Sequence, residues 1–360
     1  KQQVEIVGDV ELFARVCPAP ILAITGSNGK TTVTTLVGEM LQAQGLNAQV
    51  GGNIGRPALD LLDGPIPELV VLELSSFQLE TTDSMRARAA AILNLSPDHM
   101  DRYASITQYR KAKQRILDGA QTAVLNREDP VLKDMDTSGA ADSVSFGLDA
   151  PSRETDYGII CDAEGKEWMV RGQKRIAPVA PLSMTGRHNL MNALAAVALI
   201  ESAGYPVEQA GLDALLAFRG LAHRCEPVLE RNGVVWINDS KSTNPGAAEA
   251  ALIGLDRPVV LIAGGQSKGA DFNPLAEAIQ RYARQVLLIG EDRMELAAAI
   301  GDRVPVTLAD DLPQAVKLAA RWAQAGDAVL FSPACASFDM FKDFAHRGEI
   351  FSGLVREMIG

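Results

Sequence analysis

The sequence predicts an α/β protein built from two domains of unequal size, each with a largely parallel sheet. Three observations predict it. Apolar runs of strand length alternate with helical patterns almost throughout, the signature of strands crossing over through helices. A length of 360 residues exceeds one ordinary domain. Hydrophobic residues at 47% with 22% charged describe a soluble globular chain with ample core.

In the first part, Pro20–Thr25 (PILAIT), Leu69–Leu74 (LVVLEL) and Ala89–Leu95 (AAAILNL) read as buried strands. Polar, Gly-containing short runs at about 150–174 suggest a small hairpin insertion. Helical patterns return at Asn189–Ala203 and Val207–Phe218. A second alternating set has strands at Val234–Ile237, Pro258–Ala263, Gln285–Ile289 and Ala328–Phe331. The domain boundary is expected within Gly220–Glu230, which gives domains over 1–220 and 221–360.

Composition excludes several classes. No apolar stretch approaches the ~20 residues that cross a bilayer. The start, Lys1-Gln2-Gln3, has neither an export signal's apolar segment nor an initiator Met, so a processed or cut chain in the cytoplasm is expected. Cys17, Cys161, Cys225 and Cys335 are scattered, as reduced thiols are, with no CxxC pair. A net charge of −11 and the lack of a Lys/Arg stripe argue against nucleic acid. An anionic ligand must then be held by a few placed cations and backbone amides, which favours a small-molecule site.

Thr25-Gly26-Ser27-Asn28-Gly29-Lys30-Thr31-Thr32 follows a buried strand and precedes an amphipathic helix marked by Val33, Leu36, Val37, Met40 and Leu41 and ended by Gly45. Small residues let backbone N–H groups converge on phosphate oxygens, and the helix N-terminus adds a favourable dipole. Lys30 can reach β- and γ-phosphates and Thr31 can ligate Mg²⁺. The loop is a shortened variant of the common phosphate loop, with Ile24 where the longer pattern has Gly.

Glu73 ends the LVVLEL strand, where a carboxylate can serve as an Mg²⁺ ligand or be satisfied by helix amides. Asp98-His99-Met100-Asp101 follows the next strand, and His99 can bind metal, touch substrate or be solvated. On a helix over Ser105–Leu117, Lys113 falls within the apolar face of Ile106, Tyr109, Ile116 and Leu117. Burial disfavours its ammonium, and a neutral amine can take up CO₂ as a carbamate, an oxygen ligand for Mg²⁺. Alternatively its stem snorkels the charge to water. In the second domain Asn238-Asp239-Ser240-Lys241-Ser242-Thr243-Asn244, Gly264–Lys268 and Ser332–Ser337 are all loops after strands. Each alone reads equally as a surface turn. Three at one sheet edge point to a ligand.

TGSNGKTT, GGNIG (51–55), LELSSFQLE (72–80), NLSPDHMDRY (94–103), HNLMNALAA (188–196), GLAHRCE (220–226), NDSKSTN and SPACASFDMFKDFAHRG (332–348) resemble the Mur ligases over essentially the whole chain from Ile6 onward. They are most similar to the members that add D-glutamate to UDP-N-acetylmuramoyl-L-alanine. The resemblance implies a central ATP-binding domain of the P-loop kind and a C-terminal Rossmann-like domain. It implies a monomeric ligase using ATP and two Mg²⁺ sites in peptidoglycan precursor synthesis. Gly26, Ser27, Asn28, Gly29, Lys30, Thr31 and Thr32 would hold the phosphates. Asn192 and His223 would contact adenine, and Arg224, Asp239 and Lys241 ribose and phosphates. Thr31, Glu73, His99 and carbamylated Lys113 would surround metal, with Lys30, His99 and Lys113 catalytic. Asn53, Ser75 and His99 would contact the nucleotide-sugar substrate or transferred phosphate, and Thr243, Lys268, Ser337 and Phe344 D-glutamate. Members of this family begin with a UDP-binding domain, and this chain opens where that domain should end.

Two other readings remain open from the residues. One is a P-loop kinase or nucleotide switch, which would turn over nucleotide without forming an amide. The other is a nucleotide-binding module that makes nothing.

Overall fold

The computed structural model describes residues 6–100, 102–184, 186–255 and 257–360. The first residues of the chain and Asp101, read above as part of a strand-end motif, lie outside them. The chain divides into two compact units, one of Lys1–Pro97, Tyr103–Thr185 and Asn189–Arg219, the other of Asp98–Arg102, Gly186–His188 and Gly220–Gly360.

The first unit opens with helix α1 (Asp9–Val16), strand β1 (Ile21–Thr25), α2 (Lys30–Ala43), β2 (Ala48–Gly52), β3 (Leu69–Glu73), α3 (Ser76–Leu79), β4 (Ala89–Ile92) and α4 (Ile106–Gln114). It continues through β5 (Thr122–Asn126), β6 (Asp142–Phe146), β7 (Tyr157–Cys161), β8 (Glu167–Arg171) and β9 (Lys174–Pro178). Helices α5 (Arg187–Ser202) and α6 (Gln209–Ala217) follow, the first turn of α5 clustering with the other unit. The nine strands form one sheet in the order β2-β3-β1-β4-β5-β6-β7-β8-β9. Neighbours are parallel from β2 through to β7 and antiparallel from β7 to β9. The expected hairpin is thus a three-stranded meander that extends the main sheet. Its strands mix buried with half-exposed and exposed positions, which a reading for continuous apolar runs does not pick out.

Strands β1, β3 and β4 are buried at every position because helices cover both sheet faces. Ile21, Ala23, Val70, Leu72, Ala90 and Ile92 pack into one core with Phe13, Tyr109 and Ile116, while Leu22, Ile24, Val71 and Ala91 are buried on the opposite face. Ser105 caps α4 by accepting from Gln108 N at 3.3 Å, and the last turn tightens to a 3₁₀ form over Arg115–Leu117.

The second unit runs β10 (Glu226–Arg231), β11 (Val234–Asn238), α7 (Pro245–Ile253), β12 (Val259–Gly264), α8 (Asn273–Tyr282), β13 (Ala283–Ile289), α9 (Arg293–Ile300), β14 (Val306–Leu308), α10 (Leu312–Trp322), β15 (Ala328–Phe331) and α11 (Phe344–Met358). Its sheet has the order β10-β11-β15-β12-β13-β14, parallel except for β10. Leu261, Ala263, Val286, Leu288 and Leu330 face one core, and Val260, Ile262, Leu287, Ile289 and Phe331 the other. This is the period-2 pattern of a doubly covered sheet. Because β15 inserts between β11 and β12, the loops after these three strands lie side by side at the carboxyl edge. All four cysteines are free, and among the described residues no helix is long and apolar enough to cross a membrane.

Candidate functional site

The register of the first sheet sets one group of residues at a single edge. Ile24 of β1 pairs with Glu73 of β3, Glu73 pairs with Gly52 of β2, and Thr25 pairs with Ile92 of β4. The four parallel strands therefore end together, and the loop from Gly26 to Gly29 leaves from their middle. Gly29 has φ +81° as the residue before α2, and a Cβ there would come within 2.6 Å of the Asn192 amide oxygen on α5. Only glycine satisfies both demands, and the same closeness places Asn192 beside the loop.

The loop is braced from β4. Asn94, just past that strand, accepts from Asn28 N at 2.8 Å and donates to Asn28 O at 3.0 Å, while its own carbonyl accepts from Ser27 N at 2.9 Å. The Ser27 hydroxyl donates to Ser96 O at 2.9 Å. Lys30 folds back so that Nζ donates to Gly26 O and Ser27 O, both at 2.9 Å. Its ammonium thus stands over the loop, with Thr31 and the buried Thr32 following on the first turn of α2. Converging amides, a helix N-terminus and one poised cation make a cradle for a phosphorylated ligand.

Glu73 is 2% exposed. Its Oε1 accepts from Asn53 Nδ2 at 2.9 Å, and Asn53 N donates to Glu73 O at 2.8 Å. Its Oε2 is buried and has no hydrogen-bond partner among the described residues. A buried carboxylate oxygen without a partner is costly, and a cation relieves that cost. The reading in which helix amides satisfy this acid does not hold, since α3 is capped by the Ser75 hydroxyl and Gln78 in a reciprocal pair instead.

Lys113 lies on the inner face of α4 and is 1% exposed, so its stem does not carry the charge to water. Its Nζ donates to Thr25 Oγ1 at 3.2 Å, and that hydroxyl donates to Leu74 O at 2.7 Å. The amine is therefore held at the end of β1 by Thr25, whose hydroxyl reaches the residue after Glu73. The Tyr109 ring lies below it, 4.9 Å from Nζ to the centroid.

His99 stands apart. It has φ +55°, a side chain 47% exposed and Asp98 Oδ2 3.8 Å from Nε2. It belongs to the Asp98–Arg102 segment that clusters with the second unit, whereas Glu73 and Lys113 belong to the first.

In the second unit Asp239 directly follows β11 at the carboxyl edge of the sheet. Its Oδ2 accepts from the Ser332 hydroxyl at 2.7 Å and Oδ1 from Cys225 N at 3.1 Å. Burial pushes its carboxyl up to about 6, although the hydrogen bonds from Ser332, Ser242 and Cys225 oppose the shift. Lys241 N donates to His223 O at 3.0 Å, so the stretch with His223 and half-buried Arg224 is stitched to the loop after β11. The Lys241 ammonium lies 4.0 Å from the centroid of Phe344. Asn238 Nδ2 faces His223 Nδ1 at 3.0 Å and donates to Gly348 O at 3.0 Å. Thr243 sits half-buried just before Asn244, which caps α7 by accepting from Ala247 N at 2.9 Å.

The loops after β12 and β15 are joined by a reciprocal pair, Gln266 N to Ala336 O at 3.0 Å and Ala336 N to Gln266 O at 2.9 Å. This brings exposed Lys268 alongside buried Ser337. The loops after β11 and β15 are joined by Arg347 of α11, which the sequence reading did not single out. Its fully buried guanidinium donates to Ser240 Oγ at 3.0 Å, Ser240 O at 2.8 Å and Cys335 O at 3.1 Å. Burial lowers this guanidinium to about 10, which leaves it charged at neutral pH. A lone Arg three residues after Phe344 and four before Phe351, on an otherwise uncharged buried helix face, was the available signal. Asn94 was likewise missed, although an Asn directly after a buried strand at a loop-bearing edge invites such a role.

With this geometry in view, two sequence profiles match the chain. One, described as Mur ligase middle domain, matches residues 24–200. The other, described as Mur ligase, glutamate ligase domain, matches residues 223–335. The chain belongs to the Mur ligase family, and its class is that of ATP-dependent, amide-bond-forming ligases. It is 50% identical to a UDP-N-acetylmuramoylalanine–D-glutamate ligase of Hahella chejuensis, over 99% of this chain and 80% of that relative. To the protein of the same name from Pseudomonas aeruginosa it is 51% identical, over 99% of this chain and 79% of that one. Among solved structures, the MurF ligase of Thermotoga maritima in complex with ADP covers 99% of this chain and 88% of its own at 17% identity, with a TM-score of 0.72. The UDP-N-acetylmuramate-alanine ligase MurC of the same organism has a TM-score of 0.66 at 21% identity, covering 97% of this chain and 78% of its own. At these identities the likeness establishes the shared fold.

Proposed function

We propose that the chain ligates D-glutamate to UDP-N-acetylmuramoyl-L-alanine, with ATP cleaved to ADP and phosphate. The observation that carries this reading is 50% identity, along 99% of the chain, to a relative named for that reaction. The first unit's loop supports the nucleotide half. Loop amides, the α2 N-terminus and Lys30 suit the β- and γ-phosphates of ATP, with Gly26 to Thr32 as the cradle and Asn192 beside it as an adenine contact.

Mg²⁺ fits the same place. Among the described residues no group of three or more His, Cys, Asp and Glu could hold a metal ion. Mg²⁺ bound with phosphates needs only one or two protein oxygens, and Glu73 Oε2 is a buried one without a partner. Glu73 and Thr31 would hold it, and it would supply charge neutralisation at the phosphates. Lys113 supports a second position: its amine, deprotonated and joined to CO₂ with loss of one proton, becomes a carbamate with two oxygens. His99 belongs to this reading through the family resemblance.

The reaction follows from the chemistry of the two acids. A carboxylate is a poor acyl donor, so its oxygen attacks the γ-phosphorus and ADP leaves, giving an acyl-phosphate. The free amine of D-glutamate then attacks the carbonyl carbon, and the tetrahedral intermediate expels phosphate. Two anions meet in the first step, so Lys30, Arg224 and Lys241 serve by offsetting charge. Asn53 and Ser75 suit the nucleotide-sugar substrate or the transferred phosphate, His223 and Asp239 the nucleoside, and Thr243, Lys268, Ser337 and Phe344 the D-glutamate.

Mass-resolved product analysis tests this. The protein, ATP, Mg²⁺, UDP-N-acetylmuramoyl-L-alanine and D-glutamate should give one amide per ADP, with no amide when D-glutamate is omitted. ATP turnover that is indifferent to both acids, with no amide formed, would refute it.

A further inference from the structure

Phe338 is 64% exposed, although the residue before it, Ser337, is buried and the chain on that side is held tightly. Phe341 N and Met340 N donate to Ser337 O at 2.8 and 3.3 Å, a turn that turns the Phe338 ring outward. The opposite loop is held as firmly. Ser267 N donates to Asp292 Oδ2 at 2.7 Å and its hydroxyl to Glu295 Oε2 at 2.8 Å, while Lys268 takes φ +50°, an uncommon conformation for a residue with a side chain. Gly265 lets the two loops approach, since a Cβ there would lie 2.2 Å from Ala336 O. Two rigid backbones thus present one flexible cation and one flat ring to each other, and the Lys268 Nζ lies 5.5 Å from the Phe338 centroid.

A lysine ammonium on a four-carbon stem samples many positions unless something holds it, and the face of an aromatic ring attracts it within about 6 Å. We infer that Phe338 is a positioning residue: its ring holds the Lys268 ammonium in the pose that receives a carboxylate of the incoming amino acid. The inference rests on the reading of this edge as the D-glutamate site. The ring does not touch the reacting atoms. It restricts the cation beforehand, so that less freedom is lost when the anion arrives.

Steady-state ligation kinetics of Phe338→Leu, Phe338→Trp and Lys268→Ala test it. Phe338→Leu keeps apolar bulk and removes the π face, and its KM for D-glutamate should rise roughly two- to fivefold. Its kcat and its KM for ATP should stay as in the wild type, and Phe338→Trp should keep the wild-type KM or lower it. A wild-type KM in Phe338→Leu, or an equal rise in Phe338→Trp, overturns the inference. NMR of the Lys268 ε-methylene gives a second reading: an upfield ring-current shift in the wild type that vanishes in Phe338→Leu, an unchanged resonance counting against the contact. If Lys268→Ala keeps its D-glutamate KM, the positioning role falls while the ligase reading stands. A wild-type protein that forms no D-glutamate amide overturns the site reading and the positioning role together.

Discussion

Asn53 donates its side-chain amide to one oxygen of Glu73 at 2.9 Å, and the other oxygen of that buried carboxylate is left without a partner. The two residues come from adjacent strand ends, β2 and β3, in direct register through Gly52 and Glu73. Asn53 thus orients an acid whose open oxygen suits Mg²⁺. Residues that orient a metal ligand typically contribute ten- to hundredfold in metal affinity. Asn53→Ala should therefore raise the Mg²⁺ concentration for half-maximal activity by roughly that factor. Glu73→Gln should raise it further. An unaltered Mg²⁺ dependence in both variants would remove the pair from the site.

Lys113 is the second buried group beside the loop, fixed by Thr25 under the end of β1. If it works as a carbamate, Lys113→Ala should lose activity by roughly a hundredfold or more. Formate or acetate should restore part of it, since a small carboxylate supplies the missing oxygens. Full activity in Lys113→Ala excludes the residue from the chemistry. Loss without rescue points to the amine itself.

Asp239 makes stability depend on pH. Burial raises its folded-state pKa to about 6 from an ordinary value of 3.8. Between those values the folded chain binds the proton that the unfolded chain has released, so the contribution of this group falls as pH rises from about 4 to about 6. Above that window the charged, buried form costs on the order of 3 kcal/mol. Urea melts of wild type and Asp239→Asn from pH 4.5 to 8 should differ in slope, the variant lacking that decline. Parallel profiles would contradict the shift.

Arg347 ties the loops after β11 and β15 through Ser240 and Cys335. Arg347→Met fills similar volume but leaves those carbonyls without their donor. The second unit should lose about 3 kcal/mol or more, read from chemical denaturation. A loss within about 0.5 kcal/mol, the scale of an ordinary surface change, would mean that the loops hold themselves.

The parts of this arrangement legible in the sequence are those with a strong local signal. PILAIT, LVVLEL and AAAILNL are buried on both faces and read as uninterrupted apolar runs. The glycines of TGSNGKTT sit between such a strand and an amphipathic helix. Lys113 declared itself by interrupting an apolar helix face. Other elements carry no such mark. Strand β2 (AQVGG) contains two glycines and is only partly buried, and β10 (EPVLER) has a proline and charged residues on an exposed edge. Strand β10 pairs with its immediate successor β11 across the short Asn232-Gly233 turn, but the pairing of β2 comes from β3, a neighbour more distant in sequence. The same holds for side chains whose meaning is tertiary. The Asn53–Glu73 pair and the Asn94 brace depend on strand order. The Arg347 bridge spans 107 residues between its ends. None of these spacings is periodic.

The central claim is that the loop from Gly26 to Thr32, with Lys30 and Glu73, grips Mg²⁺ and a triphosphate. Isothermal calorimetry with a non-hydrolysable ATP analogue tests it most directly. The wild type should bind at one site with heat that requires Mg²⁺, and Lys30→Ala, still folded by circular dichroism, should show none. No magnesium-dependent heat from folded wild-type protein, or equal binding by Lys30→Ala, would contradict the account.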